Sequence, residues 1–220
     1  MAEGGALLRR YTGKTRIEGS NPSHSASIPM FKQTHRPLRR YRDGPLSVRP
    51  PEEIRYATGR TALGLILVAC SDEGIVSIII RDKAAQLRAE LKPRFPKAHL
   101  VHDEKACKAV VRKVIEYIAS PVGSFGLPLD MRGTSFQRSV WEEVRKIPIG
   151  ESSSYSKIAE AIGAPRAIRA VASSCSRCMF AFAVPCHRVL HKGGGARDAN
   201  GRRRLRWVAY EAKRLASLRA

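Results

Sequence analysis

Apolar residues dominate two runs, "TALGLILVAC" (61–70) and "GIVSIII" (74–80), on either side of "SDEG". Runs rich in β-branched and aliphatic residues around a cluster of turn formers predict a β-hairpin. The period then lengthens. "KAAQLRAELKPRF" (83–95) and "DEKACKAVVRKVIEYIAS" (103–120) repeat apolar residues every three or four positions, which predicts two helices, each with one buried face. "PVGSFGLPLDM" (121–131) reads as a Gly/Pro linker ending in a short strand. The first folded unit is therefore expected to be an α/β domain over 54–131.

The second half, 132–220, is expected to be mainly helical. "TSFQRSVWEEVRKI" (134–147) takes Thr134 or Ser135 as N-cap and sets Phe136, Val140, Trp141 and Val144 on one face. "IPIGESSSY" reads as a loop. "SYSKIAEAIG" is a short helix stopped by Gly163. Pro165 is expected to open the next helix, "PRAIRAVASSCSR", from its first position. Two short helices joined through a glycine resemble a helix-turn-helix whose second helix carries Arg166 and Arg169. "RRRLRWVAYEAKRLASLRA" (202–220) reads as a basic amphipathic helix. No internal repeat is visible.

Residues 1–53 mix Gly, Ser, Pro and Arg without periodicity and read as a disordered basic tail. Gly19-Ser20-Asn21-Pro22 is what GGT-TCG-AAT-CC encodes, a sequence like the T-arm of a tRNA gene. The natural start is therefore expected at Met30 or later, with part of the tail not genuine coding sequence.

Charge changes the picture. Lys and Arg number 40 against 19 acidic residues among 220, a net +21, which points to a polyanion and above all to nucleic acid. No apolar run is long enough to span a membrane, and the N-terminus lacks the apolar segment of a signal peptide. Glu3 and Glu18 argue against a mitochondrial transit peptide. Five cysteines without framework spacing point to a reducing compartment, a bacterial cytosol or nucleoid.

Chemistry concentrates at "FAVPCHRVL" (182–190). A cysteine attacks as its thiolate, so a nucleophile needs a base, and a histidine base needs a carboxylate to orient it. Cys186 and His187 supply the first two, and Glu211 on the last helix is the best candidate for the third. Neighbours in a strand point opposite ways, so a bridging water is expected between thiol and imidazole unless the chain turns there. On spacing alone, a buried structural cysteine remains an open reading.

"GTSFQRSVWEEVRKIPIGE" (133–151), "SYSKIAEAIGAPRAIRAVASS" (154–174) and "PCHRV" (185–189) together resemble the O6-alkylguanine-DNA alkyltransferases, also called methylated-DNA–protein-cysteine methyltransferases. The likeness runs from about Ile54 to Leu215 and is strongest to the C-terminal part of the bacterial adaptive-response protein. It implies a ribonuclease-H-like N-terminal domain and a helix-turn-helix domain that binds double-stranded DNA in the minor groove. It also implies single-turnover transfer of an alkyl group from O6-alkylguanine, and from O4-alkylthymine, to Cys186. His187 then matches the histidine that activates the thiol through water, and Glu211 the glutamate that holds it. Arg169 matches the finger that fills the gap left by the flipped nucleotide. Tyr155 matches the tyrosine that helps rotate its phosphate, while Ser154, Arg166 and Ala170 fall on the DNA-binding segment. Pro185, Arg188 and Cys178 belong to the active-site turn. The small residues Ala170, Ala172, Ser173 and Ser174 are expected to let the helix lie close to the DNA backbone. A monomer without cofactor, metal or membrane partner is expected.

Two departures stand out. Cys178 occupies the place of an asparagine that braces the turn, and a thiol hydrogen-bonds more weakly than an amide. The segment "HKGGGARDANGRRRLRW" (191–207) is short and lacks the tyrosine of the guanine pocket, leaving Asp198 and Asn200 as unassigned polar groups. Cys175 and Cys178 form a CxxC that, with Cys186, His187 and His191, makes zinc conceivable, but no second pair accompanies it. Residues 1–50 hold no cysteine, so the metal-binding regulatory module of the adaptive-response protein is not expected. The alternative function is that of an alkyltransferase-like protein, which recognises alkylated DNA without transfer. Such proteins replace the nucleophilic cysteine, typically by tryptophan, and Cys186 is present. A helix-turn-helix transcription factor is the third and weakest reading.

Overall fold

The computed structural model describes residues 52–121, 123, 125–191, 207–213 and 216. Nearly all of the expected tail, and the segment 192–206 with Asp198 and Asn200, lie outside the described residues. The chain divides into two compact units. One takes in the described residues up to Ile115 together with Gly126–Asp130, and the other takes in Glu116–Phe125 and the chain from Met131 onward.

The first unit is built on a four-stranded sheet. β1 (Glu53–Thr61), β2 (Gly64–Cys70) and β3 (Ile75–Arg81) run antiparallel in sequence, and β4 (His99–His102) joins parallel to β1, giving the order β3-β2-β1-β4. The expected hairpin is β2–β3, closed where Ser71 N donates to Gly74 O at 2.9 Å. Its first strand starts at Gly64 and not at residue 61, because Thr61–Gly64 is itself a turn. Thr61 Oγ1 donates to Gly64 O at 2.9 Å and accepts from Leu63 N at 3.1 Å. The short strand expected at the end of the linker is a single parallel bridge, Leu129 to Ile75.

β1 and β4 were not legible from periodicity. β1 buries Ile54 and Tyr56 on one face and Ala57 on the other, with Gly59 half-buried, which makes no long apolar run. Gly59 is small for a reason. A Cβ there would stand 2.8 Å from Ile115 Cδ1 and 3.0 Å from Val111 Cγ1, so helix α2 (Glu104–Ala119) lies close on the strand. Helix α1 (Ala84–Arg94) packs on β2 and β3 through Leu87 and Leu91, and its Glu90 carboxylate takes the Arg81 guanidinium in a two-point ion pair.

The second unit holds the predicted helices. α3 (Ser135–Arg145) opens on Thr134 with a full capping box. Thr134 Oγ1 accepts from Gln137 N at 3.2 Å while Gln137 Oε1 accepts from Thr134 N at 3.0 Å, satisfying two donors that a helix start leaves unpaired. Val140, Trp141 and Val144 are buried, with Phe136 half-buried at the edge of the same face. α4 (Tyr155–Ala161) and α5 (Ile168–Ser176) form the helix-turn-helix. Pro165 does not open α5. It sits in a turn in which Ala167 N donates to Ala164 O at 2.9 Å, and the helix begins only at Ile168. The fixed φ of proline suits the second position of such a turn as well as a first helical position. The described part of the last helix, α6, covers 207–213.

Two glycines test this geometry against each other. Gly163, after α4, has φ +73° with open space around a would-be Cβ, whereas Gly64 has φ +126° and its Cβ would stand 2.7 Å from the Arg81 carbonyl oxygen. Gly163→Ala is expected to cost about 1–2 kcal/mol for the left-handed backbone alone. Gly64→Ala adds a clash with main chain that cannot swing away, so its midpoint in urea unfolding should fall further.

Candidate active site

The apolar run leading to Cys186 is a string of tight turns, so the chain does turn at the Cys186–His187 pair. Val184 N donates to Phe180 O, Ala183 N to Ala181 O, Cys186 N to Val184 O and Arg188 N to Pro185 O, at 2.8–3.0 Å. Phe182 takes φ +63°, rare for a residue with a side chain. Packing holds it there: its ring is buried against His187, Trp207 and Tyr210, with centroids at 4.8, 5.2 and 6.3 Å. Pro185 then leads into one turn of 3-10 helix, Cys186–Arg188, followed by the short strand β6 (Val189–Leu190). β6 pairs in parallel with β5 (Ser153–Ser154), directly before α4.

The turn buries three functional groups. Cys186 is 8% exposed, His187 1% and Arg188 5%. Glu211 of α6, itself 3% exposed, meets two of them. Arg188 Nε donates to Glu211 Oε2 at 3.0 Å and Nη2 to Oε1 at 2.8 Å, a two-point pairing that suits a planar guanidinium. His187 Nε2 lies 2.8 Å from the same Oε1, too bent for a good hydrogen bond but close enough for strong electrostatic coupling. Arg188 Nη1 donates to Ile147 O at 2.7 Å, and the Tyr117 hydroxyl also meets this guanidinium.

Burial alone would raise the carboxyl pKa of Glu211, but His187 and Arg188 overcome it and hold the group down at about 2. Cys186 moves the other way. Contacts from the Cys175 and Cys178 thiols, reinforced by burial, hold its own thiol well above the ordinary range. At rest the cysteine is protonated. His187 Nδ1 is buried and has no hydrogen-bond partner among the described residues. A thiol, an imidazole with one free nitrogen and an ionised carboxylate behind it are the parts of an activated nucleophile.

Residues 54–131 match the family model described as the ribonuclease-like domain of 6-O-methylguanine DNA methyltransferase, and residues 135–215 match its DNA-binding domain. The constitutive methylated-DNA–protein-cysteine methyltransferase of Bacillus subtilis is 35% identical over 138 residues, 62% of this chain and 81% of that protein. The chain belongs to the 6-O-methylguanine DNA methyltransferase family. The bifunctional transcriptional activator/DNA repair enzyme Ada of Escherichia coli is 43% identical over 141 residues, 64% of this chain but 40% of Ada's length. Among solved structures, Mycobacterium tuberculosis OGT in complex with DNA matches with a TM-score of 0.60 at 30% identity, over 73% of this chain and 94% of that one.

In this family member the helix-turn-helix presents Arg166, Arg169, Ala170 and Ser173 as exposed residues, with Ala172 half-buried. Ser174 does not join them. It is buried, its Oγ donates to Ala170 O at 2.8 Å, and its carbonyl accepts from Trp141 Nε1 at 2.9 Å. Ser154 caps α4, accepting from Lys157 N at 3.2 Å. The Tyr155 ring is buried, 5.0 Å from that of His191. Among the described residues no group of three or more His, Cys, Asp or Glu side chains is arranged to hold a metal ion. The structure brings together Cys186, His187, Arg188 and Glu211, all singled out from the sequence. The sequence had not singled out their neighbours Tyr117, the carbonyl of Ile147 and the aromatic wall of Phe182, Trp207 and Tyr210. The one available signal for Tyr117 was a hydroxyl-tipped ring in the apolar stripe of α2.

The ion pair predicts an acid transition. The Glu211 carboxyl titrates at about 2 in the fold against an ordinary 4.5, so its ionised form is the stabilised one. That stabilisation, about 3 kcal/mol, is complete above the ordinary value and is lost as pH falls from there toward 2. Glu211→Gln leaves a buried guanidinium without a counter-charge and should lose about 3–5 kcal/mol at neutral pH. Urea unfolding followed by tryptophan fluorescence should show the gap between wild type and variant closing toward about pH 2.5. A gap independent of pH would mean that the carboxylate charge is not what stabilises the site.

Proposed function

We propose that this protein repairs alkylated DNA by direct reversal, moving the alkyl group from O6 of a guanine in double-stranded DNA to Cys186 Sγ, once per molecule. One observation carries the reading: a buried thiol on a tight turn beside a histidine that is locked, through Glu211, to the arginine of the same turn. O4-alkylthymine is a second substrate of the same kind.

The resting thiol is neutral, so it must lose its proton before it attacks. His187 takes that proton through a bridging water on its Nδ1 side, while its Nε2 side faces Glu211. The carboxylate, ionised at neutral pH, stabilises the imidazolium that forms. The sulfur then forms a bond to the alkyl carbon as the carbon–O6 bond breaks. Its electron pair passes into the guanine ring, which regains a proton at N1. The thioether product has no ionisable proton and a poor leaving group, so the protein is spent.

O6 lies inside the duplex and the thiol is fixed, so the base must leave the stack. Arg169, exposed on α5, fills the gap it leaves in the minor groove, with Arg166, Ser154, Ala170 and Tyr155 supporting the DNA backbone. Residues 132–220 carry this chemistry, 54–131 form the α/β domain, and the basic tail of 1–53 adds charge. The working form is a monomer without cofactor or metal, in the cytoplasm where DNA and a reducing medium coexist. No helix among the described residues is long and apolar enough to cross a membrane.

Cys186→Ala should abolish transfer from labelled O6-methylguanine while retaining DNA binding. Transfer that survives, or label on Cys175 or Cys178, would overturn the assignment. Arg169→Ala separates two roles. A phosphate contact alone predicts an even loss of about 1 kcal/mol on any DNA. A gap-filling finger predicts a further slowing on duplex of up to a few kcal/mol, the unstacking energy, with little on single strands. Equal defects on both substrates would leave Arg169 as a phosphate contact.

A further inference from the structure

Between the exposed Arg166 and Arg169 stands Ile168, the first residue of α5. It is 42% exposed, and among the described residues it is the one large apolar side chain left open to solvent. Single exposed apolar side chains are ordinary on protein surfaces, so place and not exposure sets this one apart. At helical spacing Ile168 shares an edge of α5 with Val171 and Cys175, both buried. It stays open because no turn precedes it, and the side chains of a helix lean toward its start. A β-branched side chain adds nothing to helix propensity there. The proposed alkyl transfer gives it no part.

We infer that, given the minor-groove and flipped-base mechanism proposed above, Ile168 is an apolar wedge on the groove floor beside Arg169, and that it makes the protein favour A·T over G·C pairs next to the lesion. Successive helical residues point about 100° apart, so when Arg169 enters the stack Ile168 lies alongside it, against the neighbouring pair. The two arginines draw phosphates to the start of α5, and the groove between those phosphates receives what stands between the arginines. Isoleucine is among the side chains that serve as wedges in the minor groove. An A·T pair shows only acceptors there, whereas a G·C pair adds the N2 amino donor of guanine. A branched alkyl group pressed on either pair strips water from the acceptors. On guanine alone it also strips the donor, and it meets an amino group that stands up from the floor where the alkyl group must go.

The test varies that amino group and nothing else at the base edges. Inosine presents the same major-groove edge as guanine and lacks only the minor-groove N2 amino group. Full-length protein is titrated at fixed salt with two undamaged duplexes, matched except that inosine replaces guanine throughout. The inosine duplex should bind tighter by about fivefold or more, the effect of one donor covered without a partner. Ile168→Ala should bring that ratio down toward one, and Ile168→Val should keep it. Each ratio is taken within one variant, so a partly unfolded preparation cancels. Equal binding of the two duplexes by wild type, or an inosine preference that Ile168→Ala leaves whole, would overturn the inference.

Transfer supplies the second arm. On duplexes carrying O6-methylguanine, flanking G·C pairs should slow wild type by about fivefold or more relative to flanking inosine·C pairs. That ratio too should shrink in Ile168→Ala. A ratio unchanged in the variant would mean that the strength of the flanking pair alone sets the rate, and would overturn the wedge. Absence of transfer from any duplex, with the inosine preference present in wild type and lost in Ile168→Ala, would fault the repair reading and leave Ile168 standing as a reader of the minor groove.

Discussion

The Glu211 carboxylate is the contact on which the site rests. Arg188 and His187 are consecutive residues of one turn, both nearly closed to solvent, and a buried guanidinium without a counter-charge is among the most destabilising things a fold can contain. Glu211 supplies that charge and faces the imidazole with the same oxygen. A single carboxylate thus ties α6 to the turn of the nucleophile. The remaining Arg188 donor reaches the Ile147 carbonyl beyond α3, so the guanidinium links three stretches of chain that sequence separates by many residues. Stability and the proposed chemistry are joined here: the charge that keeps the turn folded also lies 2.8 Å from the imidazole.

Packing fixes what electrostatics orients. Four short hydrogen bonds fold residues 180–188 into successive turns, and one of them needs Phe182 in the left-handed region. That conformation is unfavourable by about 1–2 kcal/mol for a residue with a Cβ. The Phe182 ring, enclosed by His187, Trp207 and Tyr210, offsets it through burial. The aromatic residues of α6 flank its one essential acid, so the helix delivers an apolar wall and a carboxylate together.

Much of this was legible and some was not, for physical reasons. Helical period and capping chemistry located α1 to α5, because amphipathic helices write their buried face into three- and four-residue spacings. β1 was lost because close approach of α2 demands Gly59 where a strand would ordinarily show a large apolar side chain. Pro165 misled because a turn and a first helical position ask the same φ of proline. Cys186, His187 and Glu211 were picked out by their chemistry and matched by resemblance, since no local period relates a turn to a helix 25 residues on. The 3-10 geometry of the turn was hidden, because "FAVPC" has the composition of a strand.

A neutral resting thiol, far from being a defect in a nucleophile, suits the proposed single use. A thiolate exposed between encounters would react with any electrophile or oxidant in solution and be lost without repairing anything. Burial and thiol neighbours keep Cys186 protonated, while the ionised Glu211 keeps the base poised behind it. In the proposed reaction, ionisation is deferred until a base lies over the sulfur and the proton can pass through the bridging water to His187. On that reading the reactive state belongs to the complex with DNA, and the free protein holds its precursor.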